Sequence, residues 1–60
     1  MDKGLIKMRD ILRETANIID ELLELEVKED SGQIVTKEET ESITGRFMFK
    51  MMELNDLSNK

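Results

Sequence analysis

The first half of the chain repeats apolar and polar residues with the period of an α-helix. When successive residues are placed about 100° apart around a helix axis, the apolar side chains other than Ile6 fall within one arc of roughly 200°. The members of this arc are Leu5, Met8, Ile11, Leu12, Ala16, Ile18, Ile19, Leu22, Leu23 and Leu25. Charged and amide side chains occupy the opposite side. The pattern predicts an amphipathic helix over about residues 3–25, which ends there because Glu26 would otherwise point into the apolar arc.

The connection over residues 26–35 contains a cluster of turn residues. Asp and Ser side chains bond to the nearby backbone and Gly accepts a positive φ, and all three occur in sequence at Asp30, Ser31 and Gly32. Two interpretations remain open for this segment. It is either a plain loop between helices or a short β-ribbon, which the β-branched residues on both sides of the turn favour.

A second helix is predicted over about residues 37–57. Thr36 followed by Glu39 matches a capping box, in which each side chain bonds to the other residue's backbone N–H. The helix that follows is apolar on nearly every side around Phe47 to Leu54. It also contains Gly45, which costs about 1 kcal/mol relative to Ala in a helix interior and indicates either a close helix approach or a tolerated glycine.

Together these elements predict a single all-α domain over residues 1–60, an antiparallel helical hairpin. Each helix can bury a stripe of only about 100° against the other, so roughly half of the apolar arc needs another partner. A second copy is the simplest candidate, and two hairpins would form an antiparallel four-helix bundle. The residues expected at the oligomer or partner interface are Leu12, Ile18, Ile19, Leu22, Phe47, Met48, Phe49, Met51, Met52 and Leu54.

Charge is distributed unevenly along the 60 residues, whose net charge is −5. Residues 1–13 carry +2, residues 14–41 carry −8 and residues 42–60 carry +1. A hairpin therefore has a basic open end and an acidic tip, and two such rods attract in an antiparallel orientation. The acidic segment also offers a possible binding face formed by Glu21, Glu24, Glu29 and Asp30.

The missing residue types limit the chemistry. The chain has no Cys, His, Tyr, Trp or Pro, so disulfides, ordinary zinc sites and Cys- or His-based catalysis are excluded. Spaced carboxylates fit a solvated helix face better than a magnesium site. We expect no enzyme activity, no cofactor and no bound metal. The N-terminal residues lack the apolar region of a signal peptide and no long apolar run occurs, which predicts a cytoplasmic protein without a membrane segment.

These observations favour a small interaction or regulatory protein that forms a homodimer and binds a protein partner through an apolar or acidic surface. Two alternatives remain open. One is a nucleic-acid-associated regulator that uses the basic ends of the hairpin, although a net charge of −5 makes nucleic acid an unlikely ligand. The other is an acidic protein that imitates the charge of nucleic acid and inhibits a host protein.

Overall fold

Two antiparallel α-helices joined by a short loop make up the fold. The computed structural model describes residues 2–59, with α1 over Lys3–Asp30 and α2 over Lys37–Ser58. Within residues 2–59 no β-strand is formed, so the β-ribbon alternative is wrong and the connection is a plain loop. The predicted all-α helical hairpin is confirmed.

The first helix is longer than the sequence pattern predicts, because it ends at Asp30 rather than near Leu25. Glu26 does not stop it, since that side chain lies on a face that α2 does not cover and stays exposed to water. The helix is terminated instead by Gly32, two residues after its last residue, because the φ of 88° at Gly32 is favourable only for glycine. The backbone N–H groups of Gly32 and Gln33 donate to the carbonyls of Glu29 and Lys28, each at 3.0 Å, which is a Schellman cap. The turn residues therefore terminate α1.

The second helix begins where the capping residue predicts. The Thr36 hydroxyl accepts a hydrogen bond from the Glu39 backbone N–H at 3.1 Å. The expected return bond from the Glu39 side chain is replaced by an approach to Lys28, where the carboxylate lies 4.0 Å from the ammonium nitrogen. The cap thus both starts α2 and ties its first turn to the last turn of α1.

The hairpin is a single layer of helices, with extents of 47 × 18 × 10 Å. Its thickness equals about one helix diameter. Among residues 2–59 only Ile11, Thr15, Ile18 and Ile43 have less than a tenth of their surface exposed. Thr15 satisfies its hydroxyl by donating to the carbonyl of Ile11 at 2.8 Å. The core is therefore one thin stripe between the helices, flanked by half-buried Met8, Leu22, Leu25, Phe47, Met51, Leu54 and Leu57.

Ion pairs between the helices mark how the two helices are aligned. Arg46 forms a bidentate pair with Glu21 at 2.7 and 2.9 Å, and Lys50 pairs with Glu14. The midpoint of these two pairs lies between residues 17 and 18 on α1 and at Met48 on α2, so these two points lie at about the same height along the hairpin.

Substitution by alanine should have opposite effects on stability at Gly45 in α2 and at Gly32 in the loop. A Cβ at Gly45 would meet no atom within 4 Å, so Gly45→Ala should raise the free energy of unfolding by about 0.5–1 kcal/mol. Gly32→Ala should lower it by about 1–2 kcal/mol because of the positive φ. Urea unfolding at one fixed protein concentration measures both. A loss of stability in Gly45→Ala would show that α2 does need a glycine there.

Candidate interaction surface

The two broad faces of the helical layer have different chemistry. The side of the layer on which a side chain lies follows from its angle around its own helix, measured from the stripe that contacts the other helix. In an antiparallel pair, side chains with the same sign of this angle on the two helices lie on the same side of the layer. By this geometry the pairs Glu14–Lys50 and Glu21–Arg46 lie on one side, which we call the ion-pair face. The Lys28–Glu39 pair belongs to it as well.

The opposite side, which we call the apolar face, is formed by side chains that neither helix buries. They are Leu5, Leu12, Ala16, Ile19 and Leu23 of α1 with Met48 and Met52 of α2, and all of them are exposed. On α1 this stripe lies about 100° around the helix from the buried stripe. The exposed fraction is 48% for Leu12, 53% for Leu23 and 61% for Met48. Continuous apolar surfaces of this kind are typical of interaction sites.

The structure separates the predicted interface residues into three groups. Ile18 is buried inside the hairpin with 3% of its surface exposed, so it contributes little to any partner contact. The residues that lie half-buried between the helices are Leu22, Phe47, Met51 and Leu54. The exposed members Leu12, Ile19, Met48 and Met52 share the apolar face, whereas Phe49 turns toward the ion-pair face and is separated from them.

Three further residues of the apolar face, Leu5, Ala16 and Leu23, belong to the predicted apolar arc but were not assigned to the interface. Their sequence signal is a second spacing of three and four residues that runs beside the buried stripe. Two parallel stripes merge into one wide arc on a helical wheel. Only the position of α2 shows which stripe is covered.

A groove crosses the ion-pair face where α2 lacks a side chain. Ile18 forms part of its lining, Phe49 and Asn17 lie at its sides, and Gly45 leaves the space open, which gives a volume of about 570 Å³. Phe49 is 60% exposed beside it. The groove combines an apolar base with the charged pairs of Arg46 and Lys50 along its length.

The four acidic candidates do not form one uniform face. Glu24, Glu29 and Asp30 are exposed, but Glu21 is half-buried and held by Arg46. The hydrogen bonds from Arg46 hold the pKa of the Glu21 carboxyl below its ordinary value, and burial opposes this only in part. On the same face, hydrogen bonds to Glu14 and Glu53 raise the pKa of Lys50. Glu21 therefore belongs to an ion pair between the helices. The exposed acidic candidates are the remaining three, near the hairpin tip.

Two classes of site can be checked directly in the described residues. Across residues 2–59 no group of three or more carboxylates converges on a point where a metal ion would be held. Neither α1 nor α2 has a stretch long and apolar enough to cross a membrane.

The Glu21–Arg46 pair predicts a defined pH dependence of stability. Because the folded state lowers the pKa of Glu21, its contribution is present above the ordinary carboxyl pKa and is lost as the pH falls through the lowered value. Glu21→Gln should therefore be less stable than the parent at pH 7 and equally stable near pH 2. Chemical unfolding across this range measures the difference. Glu24→Gln, exposed on the same helix, is the control and should change little; equal losses at both sites would contradict the assignment.

Comparisons with known protein families, with curated proteins and with solved structures find no match to this chain.

Proposed function

We propose that this chain is a small non-catalytic interaction or regulatory protein that acts as a homo-oligomeric helical bundle and binds a protein partner. The apolar face carries the proposal. It is an uncovered surface on a layer one helix thick, and the residue types that ordinarily perform catalysis at neutral pH, His and Cys, do not occur in the sequence.

Surface area supports self-association. The accessible surface of the hairpin is 5013 Å². A compact monomer of 7.0 kDa would expose only about 4,000 Å². The excess of roughly 1,000 Å² is close to the area of about 800 Å² that each partner buries in a standard protein–protein interface. One second copy packed on the apolar face would be enough to bury this excess surface.

The remaining surfaces are those that a protein partner would meet. With the apolar face covered, the groove beside Phe49 and the exposed acids at the tip still point outward. The exposed acids of the tip suit a partner that carries Lys or Arg, and Phe49 offers an apolar contact beside the groove. Of the nine basic side chains, Arg46 and Lys50 already bind carboxylates and are less available to a nucleic acid.

Self-association can be tested by the molar mass in solution. Sedimentation at tens of micromolar should show a dimer for the parent chain and a monomer for Ile19→Lys, because a lysine on the apolar face would be buried without a partner. Asn17→Lys places the same charge two residues away, on the ion-pair side, and should remain a dimer. Circular dichroism should show equal helix content in all three. A monodisperse parent monomer at this concentration would refute the proposal.

Partner binding can be tested by capture from a cell lysate with mass spectrometry. A specific protein should be retained by the immobilised parent chain and lost with Phe49→Glu if the groove is the contact, or with Glu24→Gln and Glu29→Gln together if the acidic tip is. Asp56→Asn, which removes a charge near the open end of the hairpin and away from both sites, is the control. Retention of the same protein by every variant would contradict a partner site at either place.

A further inference from the structure

We infer that the apolar face is occupied by a second copy of this chain in an antiparallel orientation, with α1 packed against α1 of that copy. The inference rests on the proposed self-association and specifies its geometry. It depends on three independent observations: a symmetric spacing along α1, the charges beside that stripe and the height of Met48 on α2.

The exposed stripe of α1 has the same pattern when it is read in either direction. Between Arg9 and Glu26 its successive positions are three, four, three, four and three residues apart. Alternating steps of three and four residues are the spacing of a coiled-coil seam. The seam consists of Arg9, Leu12, Ala16, Ile19, Leu23 and Glu26. An antiparallel copy can therefore match every position at once.

Reversal of the seam about its centre pairs residues of compatible chemistry. The two leucines Leu12 and Leu23 meet across the interface, Ala16 meets Ile19, and Arg9 meets Glu26. Each of these layers occurs twice because a two-fold axis relates the copies. A parallel copy would instead place Arg9 against Arg9 and Glu26 against Glu26. The antiparallel arrangement thus explains why Glu26 lies in line with the apolar residues of the seam although α1 continues past it.

Charges along the outer edge of the seam support the same orientation. Arg13 and Asp20 lie on the same outer edge and on opposite sides of the centre, so in an antiparallel copy each would lie about two residues, or about 3 Å of helix rise, from the other and within reach of an ion pair. Within the described part of the chain, Arg13, Asp20 and Glu26 form no intramolecular ion pair. Arg9 contacts only its exposed neighbour Asp10, at 3.0 Å. These side chains are available to a second copy.

The second helix fits the same symmetry axis. The interhelix ion pairs place Met48 at about the height of the point between residues 17 and 18, which is the centre of the α1 seam. An axis through that height, perpendicular to the helices, brings Met48 against Met48 of the second copy. Met52 lies one turn further along on the same face. Flexible methionine side chains pack well across such a contact. One axis therefore satisfies both helices.

Disulfide formation between single-cysteine variants tests the orientation, and the chain has no native Cys to interfere. Leu12→Cys and Leu23→Cys are prepared separately, mixed above the concentration at which each sediments as a dimer, and oxidised with copper phenanthroline. The mixture should form the mixed disulfide, and each variant alone should form none. In the control, Gln33→Cys replaces Leu23→Cys, and no mixed disulfide should form because residue 33 lies in the exposed loop.

Other outcomes separate the inference from the proposal on which it rests. Disulfides between identical variants, or none at all in samples that sediment as dimers, would overturn the antiparallel α1 contact while leaving self-association intact. A parent chain that sediments as a monomer would remove both.

Charge exchange at the ends of the seam gives a second measurement. Arg9→Glu and Glu26→Arg should each raise the dissociation constant of the dimer about tenfold, because two attractive contacts per dimer become repulsive. The double variant should return to within about twofold of the parent. Single variants that dimerise as tightly as the parent would overturn the predicted Arg9–Glu26 contact.

Discussion

A layer of two helices can bury only the stripe along which the helices touch, and the rest of this structure follows from that constraint. The hairpin is 10 Å thick, so each side chain outside the central stripe faces water on one side or the other. Four residues of the described part reach less than a tenth exposure, and none is completely shielded. An apolar arc of roughly 200° on α1 is about twice what such a layer can cover. The uncovered half is the feature on which the proposed function is built.

The ion pairs between the helices agree with the half that stays uncovered. Exposed pairs such as Glu21–Arg46 contribute little free energy individually, typically below about 1 kcal/mol. All three interhelix pairs nevertheless lie on one face, and they favour the rotation of α1 that turns Ile11 and Ile18 toward α2. The stripe of Leu12, Ile19 and Leu23 is then directed to the opposite face. The ion pairs and the burial of Ile11 and Ile18 therefore favour the same rotation of α1.

The sequence predicts the helices well and their rotation poorly, for physical reasons. Helical period, the Thr36 cap and the turn residues locate both elements, because these signals are local. The helical wheel places the end of α1 too early, because it shows one apolar arc that Glu26 would interrupt. In the structure the arc consists of two stripes, and Glu26 stays in water. Phe49 could not be separated from Met48 and Met52 in the sequence, since α2 is apolar on nearly every side. Which side faces the partner helix depends on contacts between residues far apart in sequence.

The proposed antiparallel pairing also changes how the charge of the molecule acts at a distance. In one hairpin the basic open end and the acidic tip form a dipole along a rod 47 Å long. An antiparallel copy sets each basic end beside the other copy's acidic tip, so the dipoles cancel while the two net charges of −5 add. An approaching molecule would then meet a body that is acidic on balance along its whole length, over a range set by the Debye length of about 8 Å. That field repels nucleic acid and attracts basic proteins, and for this reason the pairing of the chain and the class of partner we propose are consequences of the same charge pattern.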